Sequence, residues 1–345
     1  MPKQDPLQNR KSDHIEINLN QDVKSSLSNG LDKYRFIHNA LPDVNLTNID
    51  MSQSLFGKRL KKPIIISSMT GGTDQAQKIN ATLAQAAQET GVAMGLGSQR
   101  AMIENAELSK TFQVRQYAPD ILLFANLGAV QLNYGYGIIE CIKAVEQVQA
   151  DALILHLNPL QEALQPEGEA DFSGLTKKIS EICNTLSVPV IVKEVGWGIS
   201  ADFASRLRDC GVAVIDVAGA GGTSWSQVEM HRNIDPDQKA VAATFREWGI
   251  PTAESILMVK EGAPGMTIFA SGGLRNGLDI AKCIALGASA GGMAGVFLRS
   301  AVVSVEQTVR TILRISKEIQ VSMFSAGAVT LEELQKIKLL RESSI

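Results

Sequence analysis

The amino-acid sequence predicts an α/β fold, namely a (β/α)8 TIM barrel with an N-terminal extension and C-terminal helices. The main observation is a repeat that begins near residue 63: a short apolar run, a glycine-rich or polar loop, and an amphipathic helical stretch. Strands that alternate with helices in this way form a parallel sheet. Eight repeats within about 230 residues fit a closed barrel better than an open, doubly wound sheet.

The eight apolar runs are the predicted strands, because each is short, uncharged over most of its length and bounded by glycine or polar residues. In chain order they are residues 63–67, 92–97, 121–125, 152–158, 188–195, 212–219, 266–272 and 289–295. The intervening amphipathic helices include residues 74–90, 174–186, 200–211 and 276–288.

We expect a single domain, because no low-complexity linker divides the chain. The segment after residue 296 begins with a long helical pattern. A shorter helix follows, with Thr330 as its N-cap and Glu333 three residues later, which is the spacing of a capping box. The predicted parts are the extension (1–62), the barrel core (63–298) and the C-terminal helices (299–345).

Composition narrows the class of protein. The chain has 33 basic and 36 acidic residues, a net charge of -3, which gives no electrostatic reason to expect nucleic acid or a membrane surface as partner. The first 20 residues lack the apolar core of a signal peptide, and a cytoplasmic location is expected. The scattered cysteines argue against a disulfide framework and indicate buried thiols in helices: Cys141, Cys183, Cys210 and Cys283.

The fourth predicted strand ends in polar residues. Reactive groups of such barrels lie at the carboxyl ends of the strands and in the loops that follow. Side chains alternate across a strand, so the three leucines of this strand face the outer helices. The opposite face points into the barrel and carries Ala152, Ile154, His156 and Asn158.

Gln161 and Glu162 follow in what we interpret as a loop. A carboxylate among neutral polar groups suits Mg2+, which takes few protein oxygens together with substrate phosphate. A solvated surface loop is the alternative, and the later acids Glu167, Glu169 and Asp171 fit that alternative.

Two other strand ends carry candidate ligands. Ser98, Gln99 and Arg100 place a hydroxyl, an amide and a guanidinium after the second strand, a set that suits phosphate oxygens, although a surface arginine is the alternative. Asn126 follows the third strand, where asparagine is commonly a cap. Lys193 near the end of the fifth strand requires a negative partner: a carboxylate in a structural ion pair, a phosphate or an anionic cofactor ring.

Glycine-rich loops follow several strands. SSMTGG (67–72) lets a planar ligand approach the backbone, and GAGG (219–222) precedes Thr223 and Trp225, which could cover a ligand. SGGLRNGLD (271–279) and GGMAGVFL (291–298) follow the last two strands, where many barrels bind phosphate. The sequence has no GxGxxG after its first strand, so a Rossmann domain is disfavoured.

Together these motifs resemble one family. RKSDHI (10–15), SSMTGG, GSQR, HLNPLQE, VKEVGWG, AGGTSW, SGGLRNGLD and MAG occur in the order found in type 2 isopentenyl-diphosphate isomerases, which use FMN. The combination of RKSDHI, HLNPLQE and GGTSW is specific to that family. The resemblance runs from residue 10 to about residue 298.

The resemblance implies roles for individual residues. It implies that FMN is held by Ser68, Met69, Thr70, Ser98, Asn126, Lys193, Thr223, Gly272, Gly273, Arg275, Ala294 and Gly295. It implies that substrate is held by Arg10, Lys11, Ser98, Gln99, Arg100, His156, Asn158 and Gln161, and Mg2+ by Glu162. Lys193, Gln161 and His156 are the implied catalytic residues.

The implied reaction moves a double bond between isopentenyl and dimethylallyl diphosphate by adding one proton and removing another. An alkene is a poor base, and the motifs contain no obvious strong acid–base pair, so reduced FMN is expected to move the protons. NADPH is then needed only to reduce the flavin. The resemblance also implies a homotetramer or homo-octamer.

Three alternative functions fit the sequence less well. A 2-hydroxy-acid oxidase needs a histidine base after a late strand, whereas the last histidine is His231. An enzyme like inosine-monophosphate dehydrogenase needs a cysteine in the loop after the sixth strand, and AGAGGTSWS has none. A flavin-storage protein would explain the glycines and Lys193 but not HLNPLQE.

Overall fold

The N-terminal extension contributes one helix and three short strands. The computed structural model describes residues 6–342, with side chains from residue 10 onward. The elements are α1 (Pro6–Asn20), β1 (Tyr34–Phe36), β2 (Gln53–Leu55) and β3 (Lys58–Leu60). β2 and β3 form an antiparallel hairpin. Phe56 at its turn lies edge-on to Phe124, with ring centroids 6.4 Å apart, and so covers the amino-terminal end of the barrel.

Eight parallel strands close into a barrel, which confirms the predicted fold class. They are β4 (Ile64–Ile66), β5 (Ala93–Gly95), β6 (Leu123–Gly128), β7 (Ala152–Leu157), β8 (Val190–Glu194), β9 (Val214–Asp216), β10 (Thr267–Ser271) and β11 (Ala290–Met293). Each strand pairs with the next along the chain, and β11 pairs with β4 to complete the ring. All eight overlap the predicted apolar runs.

Helices surround the barrel. They are α2 (Asp74–Thr90), α3 (Arg100–Glu104), α4 (Ile138–Val148), α5 (Pro159–Leu164), α6 (Leu175–Thr185), α7 (Ala201–Asp209), α8 (Trp225–Arg232), α9 (Pro236–Thr244), α10 (Thr252–Gly262), α11 (Gly277–Leu286), α12 (Gly295–Ala301), α13 (Val305–Ala326) and α14 (Leu331–Lys336). A last strand, β12 (Leu339–Arg341), pairs with β1 and so joins the C-terminal segment to the N-terminal extension.

Local chemistry explains most helix limits. Thr73 caps α2 by accepting a hydrogen bond from the Ala76 N–H, and Gly91 ends that helix with a positive φ of 69°. The predicted cap Thr330 likewise accepts from the Glu333 N–H at 3.2 Å.

Two predictions of local structure were wrong. The helical pattern after residue 296 is interrupted between α12 and α13, because Ser304 caps a new helix by accepting from the Gln307 N–H. Gln161 and Glu162 lie in the helix α5 rather than in a loop. Pro159 occupies its first turn, where a missing N–H costs nothing.

Apolar side chains form an outer and an inner core. The outer core lies between the strands and the helices and includes the outward-facing Leu153, Leu155 and Leu157, as the alternation predicted. The inner core fills the amino-terminal half of the barrel, beneath the hairpin. It contains Leu60, Ile65, Ala93, Leu122, Phe124, Ala152, Ile154, Ile191, Val214, Phe269 and Ala290.

The cysteines are unpaired thiols in the outer layer. Cys141, Cys210 and Cys283 are buried as predicted, but Cys183 is only half-buried. Cys210 follows the end of α7 instead of lying within it. Among residues 6–342, no helix has both the length and the apolar character needed to cross a membrane.

Candidate active site

A cavity of about 710 Å³ lies at the carboxyl-terminal mouth of the barrel, between the strand-end loops and α1. It brings together nearly all of the residues singled out from the sequence. The predicted residues that line it are Arg10, Lys11, Ser68, Met69, Thr70, Ser98, Arg100, Asn126, His156, Asn158, Gln161, Glu162, Lys193, Thr223, Gly272, Gly273, Arg275, Ala294 and Gly295.

Gln99 is the predicted site residue that does not line this cavity. Its side chain is fully buried, donates to the Ala144 carbonyl at 2.9 Å and accepts from the Asn126 N–H at 2.8 Å. These bonds tie β6 to α4 and to the end of β5. Gln99 therefore supports the wall, and the expected contact with substrate is not available to it in this structure.

The cavity floor is formed by most of the upper layer of the barrel interior, since Gly95 and Asp216 belong to that layer but do not line the cavity. Each barrel strand has an inward-facing apolar residue, and the residue two positions later along the chain is polar or a glycine. This upper layer consists of Ser67, Gly95, Asn126, His156, Lys193, Asp216, Ser271 and Gly292. The glycines are needed for space, because a Cβ on Gly292 would lie 2.6 Å from the Ser67 Oγ.

Lys193 is buried and paired in this floor. Its Nζ lies 3.0 Å from the Asp216 Oδ2 and donates to the Ser271 Oγ at 3.0 Å. The ion-pair alternative for Lys193 is therefore realised, while the same side chain also lines the cavity. Asp216 and Ser271 are functional neighbours that the sequence reasoning missed, although both stand at strand ends.

His156 is held as a neutral imidazole. Its Nδ1 lies 2.8 Å from the Asn126 Oδ1, which fixes the ring against β6. Burial, assisted by the positive charges of Lys193 and Arg10, lowers the pKa of His156 to about 4. A neutral imidazole at pH 7 can accept a hydrogen bond from substrate but is not a strong proton donor.

The polar residues of α5 form a network around Glu162. The Glu162 Oε1 accepts from the Asn158 Nδ2 at 2.8 Å, and its Oε2 accepts from the Glu169 N–H at 2.8 Å and from Gln165. Gln161 donates to the Glu229 Oε1 at 2.9 Å. The carboxylate is thus oriented by several donors and still keeps acceptor capacity toward the cavity.

Glu229 was not predicted. It lies within α8, has no exposed surface, and contacts His14 at 3.2 Å and the Arg232 Nη1 at 2.6 Å. Burial favours the uncharged form of Glu229, but hydrogen bonds from His14 and Gln161 and the charge of Arg232 outweigh burial and lower the pKa of Glu229. A glutamate in mid-helix gives no sequence signal of its own, since only the fold brings it beside α1 and α5.

Cationic side chains converge at the mouth. Lys11 donates to the Ser98 carbonyl at 2.9 Å and lies 5.1 Å from the centre of the Phe112 ring. Burial, reinforced by the charge of Arg10, lowers the pKa of Lys11 to about 7. Arg100 is bound by Glu104 and Glu169, each at 2.7 Å. Glu169 is therefore a site residue and not the solvated surface acid that the sequence suggested.

Several buried atoms of the cavity wall have no hydrogen-bond partner among residues 6–342. They are the Ser67 Oγ, the Ser68 Oγ and the Asn158 Oδ1. Buried polar atoms are rarely left unpaired, so these atoms are available to hydrogen-bond a bound ligand or water. Glycines bring the loops after β9 and β10 into contact, since a Cβ on Gly273 would lie 2.4 Å from the Gly221 carbonyl oxygen. A planar, polar group such as a flavin, carrying a phosphate toward the glycine loops, fits these features.

The metal-binding capacity of the cavity is limited. Within the described residues, no three His, Cys, Asp or Glu side chains cluster as a metal site. Glu162 alone suits an ion such as Mg2+, which is often held by one or two carboxylates plus substrate phosphate.

Similar proteins match this chain over nearly its whole length. The family model for FMN-dependent dehydrogenases matches residues 12–120 and 146–341. An isopentenyl-diphosphate delta-isomerase of Synechocystis sp. is 52% identical over 336 residues, covering 97% of this chain and 96% of the relative. The isopentenyl-diphosphate delta-isomerase of Rickettsia prowazekii is 49% identical over 341 residues, covering 99% of this chain and 100% of the relative.

Solved structures with the same fold include two oxidases. A lactate oxidase of Pediococcus acidilactici superimposes with a TM-score of 0.70 at 16% identity, covering 98% of this chain and 94% of the other. A mandelate oxidase variant with a monooxide FMN adduct gives a TM-score of 0.64 at 16% identity, covering 97% and 100%. At this identity the likeness concerns the fold.

Proposed function

The chain belongs to the FMN-dependent isopentenyl-diphosphate delta-isomerases, and on that premise we propose how its cavity works. The substrate and product are isopentenyl and dimethylallyl diphosphate, which are interconverted by an allylic 1,3-proton shift. The observation that carries this proposal is a single cavity with two kinds of lining: a floor that carries both unpaired hydroxyls and Lys193, and a mouth of cationic side chains.

The floor of the cavity holds the flavin. The unpaired hydroxyls of Ser67 and Ser68 would hydrogen-bond to it, and Lys193 on β8 would contact its ring. Other contacts come from Met69, Thr70, Ser98, Asn126 and Thr223. The glycine loops with Gly272, Gly273, Arg275, Ala294 and Gly295 hold its phosphate.

The mouth of the cavity holds the diphosphate. Arg10 and Lys11 from α1 and Arg100 from α3 supply positive charge, and Ser98, Asn158 and Gln161 supply hydrogen bonds. Glu162 would hold Mg2+, which would neutralise charge on the diphosphate. The Arg100 guanidinium must then be shared between its two carboxylate partners and the diphosphate. We therefore expect the loop that carries Glu169 to adjust when the substrate binds.

Reduced FMN, when bound, supplies the proton donor and acceptor of the reaction. His156, being neutral, orients the substrate and does not compete as an acid. Gln161 donates to the Glu229 carboxylate, which would hold the Gln161 amide beside the substrate. Lys193 would stabilise negative charge on the flavin ring. NADPH is needed only to reduce the flavin and is not consumed in turnover, because substrate and product have the same oxidation state.

The decisive experiment incubates the purified protein with isopentenyl diphosphate, Mg2+ and FMN reduced by NADPH or dithionite. We expect dimethylallyl diphosphate to form over many turnovers without equivalent NADPH oxidation, and no activity with oxidised FMN. NADPH consumption that matches product would overturn the proposal. Reduction of bound FMN by a 2-hydroxy acid under anaerobic conditions would favour an oxidase instead.

A variant tests the metal site. Glu162→Gln keeps the size of the side chain and removes its charge, so we expect a sharp rise in the Mg2+ concentration required for activity, with FMN affinity nearly unchanged. Glu167→Gln is the matched control, since Glu167 pairs with Arg232 at the surface. Loss of FMN from Glu162→Gln would show that this residue is misplaced in the proposal.

We also propose that the chain forms a homotetramer or homo-octamer. An apolar groove of about 600 Å³ on the outer surface, with Phe36, Leu278 and Val321 among its lining residues, is a candidate contact. Light scattering of the purified protein measures the assembly, and a monomer would contradict the proposal.

A further inference from the structure

Three buried side chains on neighbouring strands form a closed polar triangle in the barrel. Strand register places Lys193 of β8 directly opposite Asp216 of β9. The Asp216 Oδ2 lies 3.0 Å from the Lys193 Nζ, and the Asp216 Oδ1 accepts from the Ser271 Oγ at 2.7 Å. Ser271 also accepts from the Lys193 Nζ at 3.0 Å. Each member is therefore held by the other two.

The members of the triangle differ in their access to the cavity. Lys193 and Ser271 line it, whereas Asp216 stands behind them and does not. The neighbouring ionisable groups are His156, whose strand position is opposite Lys193 and which is neutral at pH 7, and Glu194, which follows Lys193 on the opposite face of β8. Arg10, Lys11 and Glu162 lie farther out at the mouth. A ligand on the floor therefore meets Lys193 with its counter-ion directly behind it.

We propose that Asp216 is a positioning residue that fixes the Lys193 ammonium and offsets its charge, and thereby sets how strongly the site favours negative charge on reduced FMN. The proposal rests on the flavin site and adds to the role of Lys193 a second residue that acts through it.

The physical reason is the low dielectric of the site. A lone buried ammonium would strongly favour a nearby anion, because charges interact more strongly inside a protein than in water. A carboxylate 3.0 Å behind the ammonium opposes that effect at the ring. An opposite charge nearby typically shifts a pKa by about 1–3 units, so removing the opposing carboxylate is expected to have a measurable effect.

The test is a pH titration of reduced, bound FMN, followed by its absorbance, in the wild-type protein and in Asp216→Asn. We expect the variant to lose the flavin N1 proton at a pH lower by about one unit, because Lys193 is then unopposed. Its midpoint potential should rise, since the anionic reduced form is stabilised. Ser271→Ala keeps both charges and is the control, with a titration close to that of the wild type. An unchanged titration in Asp216→Asn overturns the proposal.

A second pair of variants covers a failure of Asp216→Asn to bind FMN. Lys193→Met leaves Asp216 unopposed, whereas the double variant Lys193→Met/Asp216→Asn removes both charges. We expect the N1 proton to be lost at a higher pH in Lys193→Met than in the double variant. Equal titrations would overturn the proposal. These measurements need bound flavin but no turnover, so an isomerase assay that fails would reject the proposed reaction and leave this inference standing.

Discussion

The lower and upper layers of the barrel interior come from the same eight strands and the same strand faces, yet they differ completely in chemistry. The lower layer is apolar in every strand and is covered by the β2–β3 hairpin. The upper layer, two residues later in each strand, is polar or glycine and opens to the cavity. Stability and chemistry are therefore separated along each strand by a single repeat of its side-chain alternation.

The largest effect on stability is expected in the lower layer. Phe124 is 1% exposed, and its ring centroid lies 6.2 Å from that of Phe269. Phe124→Ala should lower the free energy of unfolding by about 3–5 kcal/mol, because the cavity it leaves cannot collapse fully. Asn126→Ala, two residues later on the same face, should cost only about 1–3 kcal/mol through lost hydrogen bonds. Urea denaturation of the FMN-free proteins measures both, and equal losses would remove the distinction between the layers.

The next largest effect is a pH dependence of stability, which is expected from a carboxylate on the outer face of the barrel mouth. Glu194 is buried, and its Oε2 accepts from the N–H groups of Val195, Gly196 and Trp197 at 2.6–2.7 Å. Burial outweighs these bonds and the nearby Lys193 charge, and raises the pKa of Glu194 to about 7. The folded protein therefore holds this proton more tightly than the unfolded chain.

The sign of the pH effect follows from that difference. The contribution of Glu194 to stability is fully present below its unfolded pKa of about 4.5 and is lost as the pH rises through about 7. Between these pH values, the free energy of unfolding of the wild type should fall by about 3 kcal/mol relative to that of Glu194→Gln. Denaturation of both proteins at pH 5 and pH 7.5 measures this, and a parallel pH dependence would show that the loop relaxes around the charge.

Sequence reasoning predicted the frame of the site better than its contacts. The period-two alternation of β7 correctly placed its leucines outward and His156 inward, because alternation is a property of the strand itself. The same reasoning identified Lys193 as a lysine that needs a negative partner. It could not name Asp216, because that pairing depends on the register between two strands that are separated by a helix and its loops.

The residues that sequence reasoning misjudged are those whose surroundings come from distant elements. Gln99 is a polar residue at a strand end, like its neighbours, but its side chain turns into the wall toward α4. Glu169 resembles a solvated acid until α3 brings Arg100 beside it. Glu229 becomes a site residue only because α1 packs on α8. In each case tertiary packing, and not the local pattern, decided the role.

A smaller effect, on the affinity for pyrophosphate, is expected at the cationic mouth of the cavity. In the ligand-free protein the pKa of Lys11 is lowered to about 7, so its amine is largely neutral at higher pH. A diphosphate that binds there must therefore be accompanied by the uptake of a proton on Lys11. Pyrophosphate affinity should therefore fall about tenfold between pH 7 and pH 8.5 beyond what the ligand's own ionisation explains. Lys11→Arg stays charged and provides that reference. Calorimetry in buffers of different ionisation enthalpy measures the proton uptake, and identical profiles for the two proteins would contradict the expectation.

The smallest effect is expected at the rim, where the upper layer meets solvent. The Arg275 side chain is 72% exposed, and its contact with Asp279 is long, at 3.5 Å. Exposed charge pairs contribute about 0.2–1 kcal/mol, so Arg275→Ala should weaken FMN binding about two- to fivefold. The effect should shrink further at high salt, because solvent ions screen exposed charges. Fluorescence titration of FMN measures it beside Lys193→Met, whose buried position predicts a much larger loss. If Arg275→Ala proved the more damaging change, burial would not be what separates strong from weak contacts in this cavity.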